Sequence, residues 1–576
     1  MVFFNHQIKP FLTDFSFSYK SASFTATMRS LALRSSLLFV VFSALCLAYV
    51  TSNVTATSDA KIYYNVIDFG AKGDGKTLDT DAVNRAITAA SAKGGGTVYF
   101  PAGTYLCFSI RLKSNISIFL DNGSTLLAAD PTIHKGKYDM PEPNQWDMYQ
   151  DFGHTHWQNS LMWGIGIENF AMIGQGKIDG LGLSKRSPGP KRPRTEGETP
   201  VSMANNVSPL GEMSDRREME GLGTKAIALK LSKNITLKDF SIYRGGHFAL
   251  LATGVDNLTI DGLRVDTNRD GFDIDACRNI RISNSYVNSP NDDAIVLKSS
   301  FALGFNRATE NVTITNSQVS GYDLGSFLDG TFKTTQEFAP DKDRVTGRIK
   351  FGTESNGGFK NITITNINFV HCRGLAIETV DGGNIEDVTI SNLTMRDITT
   401  APIFIRLGAR LRAPDDTKVG AVRRINISNV TVSNAHPEYA SIIAGVEGND
   451  VEDVRLSNIR IHYKGGGKKA DALRDIPENA KNYPEPSMFG VTPSYGFYIR
   501  HAKGVTFDNV EVSFETGDQR PAFFLVDVKG VEFFRTNAQL SADAKMFVLK
   551  NVSNFSSSQS RNREDIKVAK AERREF

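Results

Sequence analysis

From about Asn169 onward, short stretches alternate apolar and polar residues and recur with the same punctuation. A polar or glycine position precedes an apolar alternation, then Asn or Asp opens another short strand. The phrase reads Lys233-Asn234-Ile235-Thr236-Leu237, Asp256-Asn257-Leu258-Thr259-Ile260, Arg278-Asn279-Ile280-Arg281-Ile282, Glu310-Asn311-Val312-Thr313-Ile314, Lys360-Asn361-Ile362-Thr363-Ile364 and Glu386-Asp387-Val388-Thr389-Ile390. Weaker copies begin at Arg424, Glu452, Lys503 and Lys529. A period of two turns one side of each strand inward and the other outward, and its regular recurrence predicts an all-β solenoid of stacked coils. The spacing starts at 23 and 22 residues and widens to 32 and 50, as loops inserted into a coil of constant core would produce. Asn at the turn suits left-handed backbone and lets its amide stack on the Asn of the next coil. The repeat lacks both the spaced leucines of a horseshoe and the blade signatures of a propeller.

The repeats also align chemistry. Asp270 lies 13 residues after Asn257, Asp292 lies 13 after Asn279, and His247 lies 13 after Asn234. Parallel strands of neighbouring coils sit about 4.8 Å apart, so the spacing predicts a column of His247, Asp270 and Asp292 with Asp293 beside it. Crowded carboxylates suit cleavage of a glycosidic bond, which needs one protonated carboxyl for the leaving oxygen and one ionised carboxylate for water. They cannot all ionise cheaply, so at least one is expected to keep its proton.

Composition narrows the setting. Over 576 residues the net charge is only +3, too small to argue for nucleic acid. The apolar run Ser36–Val50, behind Arg29 and Arg34, has the layout of a secretory signal and is short for a membrane span, with cleavage expected between Ala48 and Ala56. The expected organisation is an extension and signal over 1–56, one catalytic solenoid over 62–550, and a charged tail over 551–576 that is frayed or helical. The mature chain keeps Cys107, Cys277 and Cys372, which excludes a disulfide scaffold. Sequons at Asn115, Asn234, Asn257, Asn311, Asn361, Asn392 and Asn426 fall mostly inside the strand repeats, so only some are expected to carry glycans. Two stretches break the rhythm, Ser184–Gly223 and Thr331–Arg344, and the readings open for both are walls of a cleft around the acids or disordered solvent loops.

Near the mature N-terminus stands Asn65-Val66-Ile67-Asp68-Phe69-Gly70-Ala71-Lys72-Gly73-Asp74-Gly75, then an apolar-periodic helix through Ala90, then Gly94-Gly95-Gly96-Thr97-Val98-Tyr99-Phe100-Pro101. This resembles the N-terminal cap of pectin-active β-helix enzymes, and Asn169 to Gly180 adds another phrase of that group. Such a helix would cover the open end of the solenoid, whose strand edge is otherwise sticky. Asn268-Arg269-Asp270 and Asn291-Asp292-Asp293 are similar to the Asn-Thr-Asp and paired-Asp motifs of family 28 glycoside hydrolases, the polygalacturonase family. The resemblance implies a right-handed parallel β-helix and an inverting, secreted cell-wall hydrolase of pectic polysaccharide. It also implies Asp292 as general acid, with Asp270 and Asp293 activating water. Acids one coil apart stand closer than inversion usually requires.

The departures are specific. Where the family carries Gly-His-Gly this chain has Thr346-Gly347-Arg348, and where its Arg-Ile-Lys clamp falls this chain has Ala376-Ile377-Glu378. A literal Arg348-Ile349-Lys350 occurs one coil earlier. Lys298, Arg348, Lys350 and Arg406 are therefore candidate cations for a substrate carboxylate, and His247 a stand-in for the missing His. His156 and Trp157, beside His154, are candidates to line a sugar subsite with the indole as platform. Two His at that spacing without a third ligand do not make a metal site, so no metal or cofactor is expected. The alternatives are a rhamnogalacturonan-type hydrolase, a calcium-dependent lyase, disfavoured because no Arg or Lys shares the Asp column, and a silent wall-binding protein. A monomer without stable membrane association is expected.

Overall fold

A computed structural model of the protein describes residues 63–184, 219–341, 343–414, 416–561 and 563–576. The expected signal segment and most of the Ser184–Gly223 stretch lie outside the described residues. The chain winds into a parallel β-helix whose earlier turns contribute three strands each, the second and third running together as one long strand from Thr309 onward. One turn carries Phe248–Thr253, Asp256–Asp261 and Arg264–Asp266, and the next carries Asp270–Asp275, Arg278–Ser283 and Tyr286–Asn288. Each strand pairs in parallel with its equivalent one turn on, so Leu258 sits over Ile280 and Ile280 over Val312. The inward residues of the repeats, Ile235, Leu258, Ile280, Val312 and Ile362, are all buried and form one continuous core. Burying each such side chain contributes about 1.5–3 kcal/mol.

Sharp turns hold the rungs in register. Asn115, Asn169, Asn234, Asn257, Asn279, Asn311 and Asn361 all take left-handed backbone, with φ between 52° and 61°. Their side chains form a chain of amide bonds, each Nδ2 donating to the Oδ1 of the previous turn at 2.8–3.2 Å. A second ladder runs through Asn366, Asn392, Asn429, Asn458 and Asn509. The ladder occupies the amides of most of the sequons, where a glycan on Nδ2 would break it.

Both ends are covered. The helix Thr80–Ala92 buries Ala82, Val83, Ala86, Ile87 and Ala90, a stripe with helical spacing. Asp79, just before it, accepts the backbone N–H groups of Lys72 and Gly73, which locks the preceding loop. At the other end the expected frayed or helical tail is a strand. Ile566–Glu575 runs antiparallel along Phe547–Ser558, with Val568 and Ala571 buried and Phe576 stacked on Phe555. Its Lys and Arg residues are largely exposed, as suits a final edge that must not recruit another strand. Cys107, Cys277 and Cys372 are buried free thiols.

The Thr331–Arg344 insertion is exposed over Thr331–Thr335 and anchored in its second half, where Phe338, Ala339 and Asp343 are buried. Gln336 donates to Phe338 O and to Asn291 Oδ1, and Asp341 pairs with Arg373 at 2.8 Å.

The ladder sets a stability ranking. Asn279→Ala forces alanine into left-handed backbone and removes two amide bonds, so it should cost about 2–3 kcal/mol; Asn279→Gly, which keeps the backbone, should cost about half that. Melting of the two variants against the parent protein checks the order.

Candidate active site

The acids meet where the first strands of successive turns begin. Phe272 pairs with Ile295 and Ile295 with Ile349, which fixes the residues just before them on one rung line. Asp270 opens its strand, and its Oδ1 accepts the backbone N–H of Asp293 at 3.2 Å. The rung partner of Asp270 is thus Asp293, with Asp292 one residue earlier on the turn. Side-chain oxygens of Asp270, Asp292 and Asp293 all lie within 4.8 Å of one another. Depth separates them: the side chains of Asp270 and Asp293 are 6% and 7% exposed, that of Asp292 24%.

Their environments drive the protons apart. Burial, and then the neighbouring Asp292 carboxylate, push the Asp270 carboxyl well above the usual range. Burial would also raise Asp292, but the Arg269 guanidinium, 2.5 Å from its Oδ2, and the Lys298 ammonium hold it below that range. The pair therefore stores one proton, and in the free protein it rests on Asp270.

Cations reach the acids from other turns and loops. Arg348 donates through Nε to Asp293 at 2.9 Å and through its terminal nitrogens to Glu485. Lys350 Nζ stands 3.6–3.7 Å from Glu378, Glu485 and Asp293, under the ring of Tyr483. Arg373 adds a third cation to Glu485 at 3.0 Å. Lys298 Nζ lies 3.0 Å from Asp273, 3.4 Å from Glu354 and 4.0 Å from Asp270, and touches His154 Nε2. Arg and Lys thus surround the Asp column after all, though all of these four are held strongly protonated by their carboxylates. His154, Asp270 and Asp273 also come within 4.8 Å of one another, a spacing a metal could use, but the Lys298 ammonium fills that place. Burial lifts Glu378, at the clamp position of the sequence, to about 8 against the pull of Lys350 and Arg348.

The other candidates fare unevenly. His247 falls one residue short of the Asp270 rung, where Phe248 stands, and its ring packs on Phe152 and Phe248; burial together with Arg269 pushes it well below its usual value, so it is neutral. Trp157 is completely buried, with Nε1 donating to Thr253 Oγ1 and Lys230 over its ring. His156 is buried against Glu142 O and Asp147. Neither presents a face to a sugar; both brace the segment that covers the sheet. Arg406 lies outside the cluster, its guanidinium donating to the carbonyl oxygens of Gly445, Glu478 and Asn479, and burial lowers it to about 10. The sequence reading passed over Arg269, Glu354, Arg373, Tyr483 and Glu485. Of these only Arg269 carried a signal, its place between Asn268 and Asp270.

Arg348 is expected to be structural as well as local to the site. Arg348→Met strands the buried carboxylates of Asp293 and Glu485 and should cost about 3–5 kcal/mol in chemical denaturation; adding Glu485→Gln should recover part of that loss.

Comparison with known proteins finds the chain similar to right-handed β-helix families and to polygalacturonases. The family described as "Rhamnogalacturonase A/epimerase, pectate lyase-like" matches residues 63–178, and the family "Right handed beta helix region" matches 211–336. A probable polygalacturonase of Vitis vinifera is 23% identical over 450 residues, 75% of this chain and 81% of that protein. An exo-poly-alpha-D-galacturonosidase of Dickeya chrysanthemi is 27% identical over 284 residues, 44% of each chain. The solved family 28 exopolygalacturonase of Yersinia enterocolitica superposes with a TM-score of 0.58 at 19% identity, over 81% of this chain and 78% of that one.

Proposed function

Because the chain belongs to the pectin-active right-handed β-helix family, we propose that it hydrolyses a pectic polysaccharide, with the three crowded aspartates as its acid–base machinery. The observation that carries this reading is the split pair: two carboxylates in contact, one driven up by burial and the other held down by Arg269. Asp292, the most exposed of the three acids, is placed to protonate the glycosidic oxygen. Asp270 and Asp293, deeper, activate the water, so Asp270 must pass its proton to Asp292 before the bond breaks. The carboxylates stand within 4.8 Å at their nearest oxygens, where inverting enzymes usually keep their carboxyl groups roughly 6.5–9.5 Å apart. We assign inversion from the family resemblance, with a shift of the Asp292 side chain on substrate binding. In this reading the mature chain is a secreted, monomeric cell-wall protein.

A lyase would need a neutral base beside the acids, and the cations ringing them are all held charged by carboxylates. A panel of pectic polymers decides between the readings. New reducing ends without ultraviolet absorbance, carrying the inverted anomer by NMR, are expected; chelator-sensitive absorbance would mean a lyase and neither signal a binding protein. Asp292→Asn should cut hydrolysis by at least about a hundredfold.

The pair also fixes a pH profile. In the parent protein kcat/KM should fall on the alkaline side only as Asp270 and Asp292 lose their shared proton, well above the usual carboxylate range. In Asp270→Asn the remaining acid is Asp292, held low by Arg269 and Lys298, so the alkaline limb should move to lower pH. An unmoved limb would separate Asp270 from the acid's proton.

A further inference from the structure

Four cations stand in the ring around the acids with their charge already spent. The side chains of Arg348, Lys350 and Arg373 are each 1% exposed and that of Lys298 is 7% exposed. Each faces at least two carboxylates of the chain itself, drawn from Asp270, Asp273, Asp293, Asp341, Glu354, Glu378 and Glu485. An incoming anion would have to evict a buried acid from one of them, which costs several kcal/mol. Glu485 makes this concrete, since it sits among Arg348, Lys350 and Arg373 in the position a substrate carboxylate would want. Its segment is fixed there, with Met488 and Phe489 buried beside it.

Arg269 is the exception. Its side chain is 22% exposed, and the only ion pair it makes among the described residues is with Asp292. A guanidinium offers five donors, enough to hold two carboxylates at once, and its buried Nε has no partner. It follows directly on Asn268 and precedes Asp270, so the backbone that sets the acid also sets this cation.

We propose that Arg269 reads the charge of the substrate: it takes the carboxylate of a uronic-acid residue bound beside Asp292, and that anion sends the stored proton from Asp270 to Asp292. This rests on the hydrolase reading above and names the sugar class at its acid. A second negative charge next to Asp292 disfavours its ionised form, and a second acceptor on Arg269 dilutes the one bond that kept it ionised. The proton leaves the Asp270 carboxyl, which becomes the carboxylate that water activation needs, and arrives on Asp292, which becomes the acid. No proton is gained or lost from solvent, and a neutral sugar in the same place leaves the pair unchanged.

The test compares unesterified with fully methyl-esterified galacturonan, using the parent protein, Arg269→Gln and Arg269→Lys across pH. The parent protein should prefer the unesterified polymer by about tenfold or more in kcat/KM. Arg269→Gln should lose most of that preference through KM, and its alkaline limb in kcat/KM should move to higher pH, because the strongest pull against the burial of Asp292 is then gone and only the weaker pulls of Lys298 and Lys350 remain among the cations. Arg269→Lys should keep part of the preference. Equal hydrolysis of both polymers by the parent protein overturns the assignment, as does an Arg269→Gln enzyme with the parent preference and pH limb. The substrate comparison and the Lys variant decide the matter even if the Gln variant folds poorly. Failure of the parent protein to hydrolyse any pectic polymer would instead sink the hydrolase reading itself.

Discussion

In-register stacking of parallel rungs is the constraint from which the rest of this molecule follows. Once Phe272 sits over Ile295 and Ile295 over Ile349, the positions just ahead of them share one line, and acids there have no freedom to separate. The asparagine ladders enforce that registry at the corners, where left-handed backbone leaves each amide facing its neighbour. A one-residue slip would turn the apolar set outward and scatter the acids together. Fold and chemistry are held by the same bonds.

Registry creates an electrostatic debt that the coil alone does not settle. Asp270, Asp273 and Asp293 are buried, and every buried carboxylate needs a partner or a proton. Lys298 and Lys350 come from the next turns, and Arg373 from a turn beyond. One carboxyl, Asp270, is left without enough countercharge and keeps its proton. An acid–base pair thus arises from depth and one cation: the inner acid is neutral, and the outer acid, beside Arg269, is ionised.

The periodic part of this was legible in the chain. Asn257 and Asn279 announced the rungs, the helix after Gly70 was visible in its apolar spacing, and the strings around Asp270 and Asp292 pointed to the acids. The tail defeated the reading, because a strand facing core on one side only looks like a charged run when Lys and Arg fill the other side. His247 was expected level with Asp270, but the register puts Phe248 there, and spacing cannot reveal that Phe152 folds over the imidazole. Trp157 and Arg406 suggested sugar contacts by residue type, yet the first is sealed under its own segment and the second is spent on loop carbonyls. Glu485 was invisible for a plainer reason: 137 residues separate it from Arg348, in a stretch with no repeat.

The uneven coil lengths then acquire a physical meaning. The rungs marked by Asn234, Asn257 and Asn279 recur every 22 or 23 residues, whereas the turns before them run to 54 and 65 residues and those after them to 32, 50 and 51. The 50-residue turn delivers Gln336 and Asp341 on one side, and the 51-residue turn Tyr483 and Glu485 on the other. A short coil can place an acid but has no spare chain with which to bring a counter-ion over the sheet. Loop closure grows only slowly more costly with length, so a long insertion is a cheap way to carry one buried carboxylate to three cations. Two of the long turns therefore serve the site, carrying Asp341 and Glu485 to its cations, and the groove keeps Arg269 open because no loop brings it a second carboxylate among the described residues.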